Sequence, residues 1–179
     1  RTAEQHYAGL ADWNAIGELK AAVPEIPVLG NGDIWEASDA VRMMRETGCD
    51  GVVIGRGCLG RPWLFRDLVE ALNGRPVAAA PLLGEACAVM ATHAHLLVEH
   101  LGENLAMRDF RKHTSWYLTG YPVGGEVRKR FSGVSTYAEL EDLIAALDPM
   151  IRIVEGGERI RRGHTNGPIR VALPAGYLD

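Results

Sequence analysis

Hydrophobic positions in the first half of the chain alternate between helical and strand-like spacing. Ile16, Leu19 and Val23 fall at i, i+3 and i+7, and Pro24 closes that stripe. The apolar run Ile26-Pro27-Val28-Leu29 follows and stops at Gly30, as a strand does. Ala37, Ala40, Val41 and Met44 make a second helical pattern that ends at Gly48, and Gly51-Val52-Val53-Ile54 predicts a second buried strand ending at Gly55. Trp63 to Leu72 predicts a third helix with Phe65, Leu68 and Leu72 on one side. Helix, strand, helix, strand, helix is the repeating unit of a parallel α/β sheet or barrel.

The pattern changes after Asn73-Gly74-Arg75-Pro76 and Ala78-Ala79-Ala80-Pro81, a breaker-rich connection. From about Leu82 to Leu147 the spacing is helical throughout. Ala86, Met90, His93, Leu97 and Leu101 form one stripe; Met107, Phe110, Thr114, Tyr117 and Leu118 a second; Leu140, Leu143, Ile144 and Leu147 a third. The last of these helices opens on the capping box Thr136-Tyr137-Ala138-Glu139 and stops at Asp148-Pro149. The division is therefore an α/β part over 1–76, a small helical bundle over 77–155, and an aperiodic tail over 156–179 that orders only by docking.

Composition narrows the class. The 179 residues are 47% hydrophobic and 23% charged, with a net charge of −4, which excludes disorder and a collagen-like chain. No apolar run approaches the roughly 18 residues that cross a bilayer, and no signal-peptide layout opens the chain, so a cytoplasmic protein is expected. Cys49, Cys58 and Cys87 match no zinc or redox spacing and read as reduced, mostly buried thiols. His93-Ala94-His95 is not a metal pair, since residues two apart on a helix point in different directions; no metal site is expected.

Both predicted strands end in glycine-rich turns, Gly30-Asn31-Gly32-Asp33 and Gly55-Arg56-Gly57, each leading toward a helix. Such turns let a backbone approach a phosphate closely, with N–H groups and an arginine fork aimed at it. Two in succession resemble the phosphate site that (β/α)₈ barrels build after strands 7 and 8. Asn31 and Arg56 are then the side-chain ligands, Gly32, Asp33 and Gly55 offer mainly backbone N–H, and Asp33 caps the following helix. A barrel takes about 250 residues and eight strands. The two strands read here are only part of one, and such a part, with open sheet edges, is expected to self-associate.

The bundle carries a local positive excess. Between residues 103 and 131, Arg108, Arg111, Lys112, Arg128, Lys129 and Arg130 face only Glu103, Asp109 and Glu126. Arg108, Arg111, Lys112 and Ser115 share one helical face. With Trp116 and Tyr121 nearby, the patch suits an RNA backbone with aromatic stacking; a solvated helix face is the plain alternative. The tail arginines Arg152, Arg159, Arg161, Arg162 and Arg170 extend that surface or solubilise an end.

The chain resembles the C-terminal part of bacterial tRNA-dihydrouridine synthases, closest to the B-type, nifR3-like branch. The resemblance rests on Arg1-Thr2-Ala3-Glu4-Gln5-His6-Tyr7-Ala8-Gly9, Ala11-Asp12-Trp13, Pro27-Val28-Leu29-Gly30-Asn31-Gly32-Asp33-Ile34, Val53-Ile54-Gly55-Arg56-Gly57 and Gly60-Arg61-Pro62-Trp63. In the bundle it rests on Arg108-Asp109-Phe110-Arg111-Lys112-His113, Trp116-Tyr117 and Gly120. It covers about residues 1 to 150, and the tail after about 155 departs from it. The resemblance implies the last βα units of an FMN-binding (β/α)₈ barrel, incomplete in this chain, followed by a helical tRNA-binding domain. The implied reaction is reduction of uridine to 5,6-dihydrouridine in tRNA: NADPH reduces FMN, hydride goes to C6, and a cysteine gives the proton at C5. By position, Asn31, Gly32, Asp33, Gly55 and Arg56 correspond to the flavin-phosphate motif, and Arg1 to the arginine of a His-x-Arg motif near the flavin. The catalytic cysteine corresponds to none of Cys49, Cys58 or Cys87, so this chain alone is expected to be inactive. An RNA-binding helical module without redox activity, or another phosphate-binding barrel enzyme, are the alternatives.

Overall fold

The computed structural model describes residues 8–163. Arg1 and Arg170, both singled out above, lie outside the described residues. In chain order the elements are α1 (Asn14–Ala22), β1 (Leu29–Asn31), α2 (Ala37–Thr47), β2 (Gly51–Val53), α3 (Leu64–Leu72), α4 (Leu83–Leu101), α5 (Glu103–Leu118), α6 (Gly125–Gly133) and α7 (Tyr137–Ala145). β1 and β2 pair in parallel, with Leu29 opposite Gly51, Gly30 opposite Val52 and Asn31 opposite Val53.

The first strand is displaced from the apolar run that predicted it. Pro27 has no N–H for a ladder, and Val28 is held from outside: its N–H donates to the Asp50 carboxylate at 2.7 Å while its carbonyl accepts from Asp50 N–H at 2.8 Å. Pairing therefore runs through Gly30 to Asn31. Nor are the strands buried on both faces. One face packs under α2 and α3, where Val28, Ile34, Ala40, Met43, Cys49, Leu64 and Leu68 form a core. On the other, Leu29 is 58% exposed and Val53 45%, because two strands alone leave that face without a second layer.

The helical stripes hold in part. In α2 the buried positions are Ala37, Asp39, Ala40, Met43 and Thr47, so Met43 rather than Val41 faces inward. In α3 Leu64 and Leu68 are buried, whereas Phe65, Val69 and Leu72 form an exposed apolar face. Leu19 of α1 is likewise exposed. Ile16, Val23, Ala37, Ala40, Met44 and Leu68 do meet the core, while Leu19, Val41, Phe65 and Leu72 do not, since apolar residues occupy two sides of these helices and spacing cannot choose between them.

The bundle has its own core of Leu83, Ala86, Cys87, Met90, Ala94, Met107, Phe110, Tyr117, Leu118, Tyr121, Phe131, Val134, Leu140 and Leu143. The α5 stripe is buried as expected, but on α4 Leu101 is exposed and Ala94 takes the inward place. α7 starts as its sequence dictates. The Thr136 hydroxyl accepts the Glu139 N–H at 3.1 Å, and the Glu139 carboxylate accepts the Ser135 N–H at 2.8 Å.

Candidate functional site

The two glycine turns lie side by side at the carboxyl ends of β1 and β2. The Asn31 side-chain amide donates to the Val53 carbonyl at 2.8 Å, so its first role is to tie the two strand ends together. A Cβ on Gly55 would approach only that amide nitrogen, at 4.0 Å, which leaves an open cradle above the glycine. Gly32, at φ +121°, has no such room, because a Cβ there would lie 2.4 Å from Ala11 Cβ. This close approach clamps the 11–13 segment to the loop, and the Trp13 indole N–H donates to the Gly32 carbonyl at 3.0 Å. Arg56 opens a short 3-10 turn (Arg56–Cys58), and its guanidinium lies 5.9 Å from the centroid of the Trp35 ring.

Asp33 does not cap the next helix. Its backbone is left-handed, φ 52°, and turns the carboxylate back to accept the Ala11 N–H. Glu36 is the N-cap of α2, and the buried Asp39 carboxylate accepts the N–H groups of Trp35 and Glu36, each at 3.0 Å.

Residues 157–163 bind this region to the bundle. Arg61, buried, donates to the Trp35 carbonyl at 2.9 Å, to the Glu158 carbonyl at 2.7 Å and to the Glu158 carboxylate at 2.8 Å. Arg159 pairs with Glu36 at 2.6 Å and Asp39 at 3.1 Å. Arg162, 2% exposed, donates to the carbonyls of Glu158, Ile160 and Thr119 at 2.9, 3.0 and 3.2 Å, and more distantly to that of Trp116 at 3.5 Å. Burial, and then Arg61 nearby, pull its pKa down to about 10. Arg162 thus neither extends a nucleic-acid surface nor solubilises an end, while Arg159, half-exposed, is held by its ion pairs to the start of α2. They are internal ties, a role hidden in sequence because their partners lie more than a hundred residues away or are backbone carbonyls. Arg61 and Glu158 were missed for the same reason. The one signal was Arg61 in the quoted Gly60-Arg61-Pro62-Trp63 stretch.

Gly60 brings the loop onto α5. At φ +65° a Cβ would fall 2.3 Å from the Trp116 carbonyl carbon and 2.4 Å from the Tyr117 nitrogen. Only glycine permits that contact.

The six basic residues of the bundle divide by environment. Arg108, Lys112, Lys129 and Arg130 are exposed, Lys112 in an ion pair with Asp109. Arg111 instead donates to the Val134 carbonyl at 2.8 Å and the Ser135 hydroxyl at 3.0 Å, just past the end of α6. Arg128 donates to the carbonyls of Leu118, the last residue of α5, and Tyr121, just past it, at 2.9 and 2.6 Å. These two side chains serve carbonyls at and just beyond helix ends, where the negative end of the helix dipole favours a cation. Tyr121 is not available for stacking: it is 1% exposed, its hydroxyl donates to the Pro81 carbonyl at 2.7 Å, and burial pushes its pKa up to about 12.

Aromatic rings gather between α4 and α5. His93 lies 4.7 Å from His113 and 5.1 Å from Phe110, centroid to centroid, both edge-on, and Trp116 lies 4.8 Å from His113. Burial, then the charges of His93 and Lys112, lower His113 to about 4 against the opposing pull of Asp109. His93 is lowered as well, chiefly by burial.

The three cysteines are free, as read. Cys49 and Cys87 are buried; Cys58 donates its S–H to the Gly55 carbonyl at 3.1 Å. Burial raises the Cys87 pKa to about 11 and raises that of Cys58 also, so both stay protonated near neutral pH.

Fold and site together define an α/β unit with two glycine turns side by side at its strand ends, tied to a helical module that exposes Arg108, Lys112, Lys129 and Arg130. Comparison with known proteins names the family. Residues 1–151 match the family described as "Dihydrouridine synthase (Dus)", and the chain belongs to it. A "Probable tRNA-dihydrouridine synthase" of Mycobacterium leprae is 53% identical over 180 aligned positions, covering 99% of this chain and 46% of that protein. One of Mycobacterium tuberculosis (strain ATCC 25618 / H37Rv) is 51% identical over 178, with the same coverage of each. The "tRNA-dihydrouridine synthase B" of Pseudomonas putida is 39% identical over 134, covering 75% of this chain and 40% of that protein. The chain thus spans about half the length of the curated relatives it matches. The family match ends at residue 151, yet the mycobacterial relatives align through the tail, which therefore does not depart from all relatives.

Proposed function

We propose that this chain supplies the flavin-phosphate cradle and the tRNA-gripping helices of an FMN-dependent enzyme that reduces uridine to 5,6-dihydrouridine in tRNA. What carries the reading is the pairing of the Gly32 and Gly55 turns at the carboxyl ends of adjacent parallel strands, in a chain of this family. Such a pair suits the last βα units of a (β/α)₈ barrel. A Cβ at Gly55 would meet nothing beyond its chain neighbours nearer than the Asn31 amide at 4.0 Å, which leaves the backbone of this turn open to a phosphate.

In this reading Gly32, Asp33 and Gly55 offer backbone N–H to the phosphate, Arg56 adds a charged fork held against Trp35, and Asn31 keeps the strand ends at the right separation. When bound, FMN reduced by NADPH supplies hydride to C6 of the uracil ring. Among this chain's cysteines, Cys49 lies in the core under the strands, Cys87 in the core of the bundle, and the Cys58 S–H is spent on the Gly55 carbonyl. In this reading none of the three gives the proton to C5, and the 179-residue chain alone turns over no uridine. Arg108, Lys112, Lys129 and Arg130 meet tRNA phosphates, while Arg111 and Arg128 hold the helix ends that present them. Extruding a uridine from folded tRNA needs such a grip.

The test is flavin content. The protein containing this chain, purified from its own cells, is expected to be yellow with FMN, and Arg56→Ala to lower FMN retention at least tenfold. A colourless wild-type protein would overturn the reading.

A further inference from the structure

A cavity of about 380 Å³ opens where the loop after β2 meets α4 and α5. Cys58, Leu59, Gly60 and Pro62 form one wall; Val89, Thr92, His93 and Leu96 of α4, with His113 and Tyr117 of α5, form the others. Its size is that of a small-ligand site, and its wall is apolar with a few convergent polar groups. Val89, Thr92 and Leu96 stand exposed at the mouth, Leu96 at 57%.

The polar groups are two imidazoles and a phenol. His93 Nδ1 lies 3.2 Å from the Tyr117 hydroxyl, and His93 makes no other hydrogen bond among the described residues. His113 makes ring contacts with His93, Phe110 and Trp116 but no hydrogen bond to a described residue. Three ring nitrogens are thus left to a ligand. A neutral imidazole both donates and accepts, and its face stacks. A charged occupant is disfavoured by the burial that keeps both rings neutral.

The cavity adjoins the cradle. The Cys58 S–H donates to the Gly55 carbonyl at 3.1 Å, so one wall of the cavity touches the turn proposed to hold the flavin phosphate, and an RNA strand docked at that flavin passes beside it. Resting on RNA as the substrate, we propose that the His93–His113–Tyr117 pocket receives an unpaired nucleobase of the RNA, stacked on an imidazole and hydrogen-bonded at its edge. The pocket adds a base-dependent grip to the charge-dependent one of Arg108, Lys112, Lys129 and Arg130.

Two short RNA strands of equal length test this, one of mixed sequence and one fully abasic, so that phosphates are equal and only bases differ. Binding to the purified chain is read by fluorescence anisotropy. Base stacking contributes about 1–3 kcal/mol per base, so the base-bearing strand binds at least fivefold tighter. Thr92→Trp, which fills the mouth from an exposed position, and His113→Ala each abolish that preference, while Lys129→Ala weakens both strands alike. Equal binding of the two strands, or a preference that survives Thr92→Trp with the melting temperature unchanged, overturns the pocket and leaves RNA binding standing. Failure of both strands to bind wild-type chain overturns the pocket together with the reading of RNA as partner.

Discussion

Arg162→Ala is the sharpest probe of how the tail is built into the molecule. The guanidinium is buried and donates to four carbonyls, two in its own segment and two at the end of α5. Trp116 O also accepts the Thr119 N–H and Glu158 O also accepts from Arg61, so their losses are partial; Thr119 O and Ile160 O lose the Arg162 donor with no such second donor among the described residues. Hydrogen bonds to a charged group contribute about 1.5–3 kcal/mol each. The burial that pulls the Arg162 pKa down to about 10 offsets part of that gain. Balancing the two, and adding the vacated volume, the substitution costs about 3–4 kcal/mol, within the range for breaking a buried charged contact. In a chain of this size that lowers the melting temperature by about 6–15 °C. Thermal and urea unfolding of Arg162→Ala beside Arg161→Ala, its exposed neighbour, give the comparison; Arg161→Ala stays within about 0.5 kcal/mol of wild type. Hydrogen exchange then localises the loss to residues 116–121. Equal stability of the two variants would refute the claim that residues 157–163 lock the helices to the sheet.

Other expectations follow from the same geometry. Gly60→Ala forces a Cβ against the α5 backbone and costs more than about 3 kcal/mol, read by urea unfolding. Thr136→Ala removes the α7 cap and costs about 1 kcal/mol in the same assay. His113 has a folded pKa near 4 against about 6.5 unfolded, so the unfolded chain binds the extra proton first. Its contribution is complete above pH 6.5 and is lost as pH falls toward 4. Discounted for its partial exposure the loss is about 1–3 kcal/mol, with Asp109 opposing and His93 and Lys112 adding. His113→Gln flattens that slope in unfolding measured between pH 4 and 7.

Much of the fold was legible because its signals are local. The glycine turns, the Thr136 cap and the α5 stripe of Met107, Phe110, Thr114, Tyr117 and Leu118 each depend on residues a few positions apart. The family resemblance, too, lay in contiguous motifs. What failed was choice of face: Val41, Phe65 and Leu72 were read inward and lie outward, because the periodicity admits two stripes and only packing selects one. Long-range polar ties were invisible. Nothing local pairs Arg61 with Glu158, turns Asp33 toward Ala11, or takes Arg111 and Arg128 out of the basic face to serve helix ends. The His93–His113 pocket needed two helices and a loop to meet before it existed.

We propose that this chain belongs to an enzyme reducing uridine in tRNA, with Arg56 beside the flavin phosphate. The measurement that tests it most directly is the dihydrouridine content, by nucleoside mass spectrometry, of tRNA from cells lacking the gene and from the same cells given back the wild-type or Arg56→Ala form. The account predicts that loss of the gene removes dihydrouridine at one or more positions, that wild type restores it and that Arg56→Ala restores little. Dihydrouridine unchanged by loss of the gene at every position would contradict it.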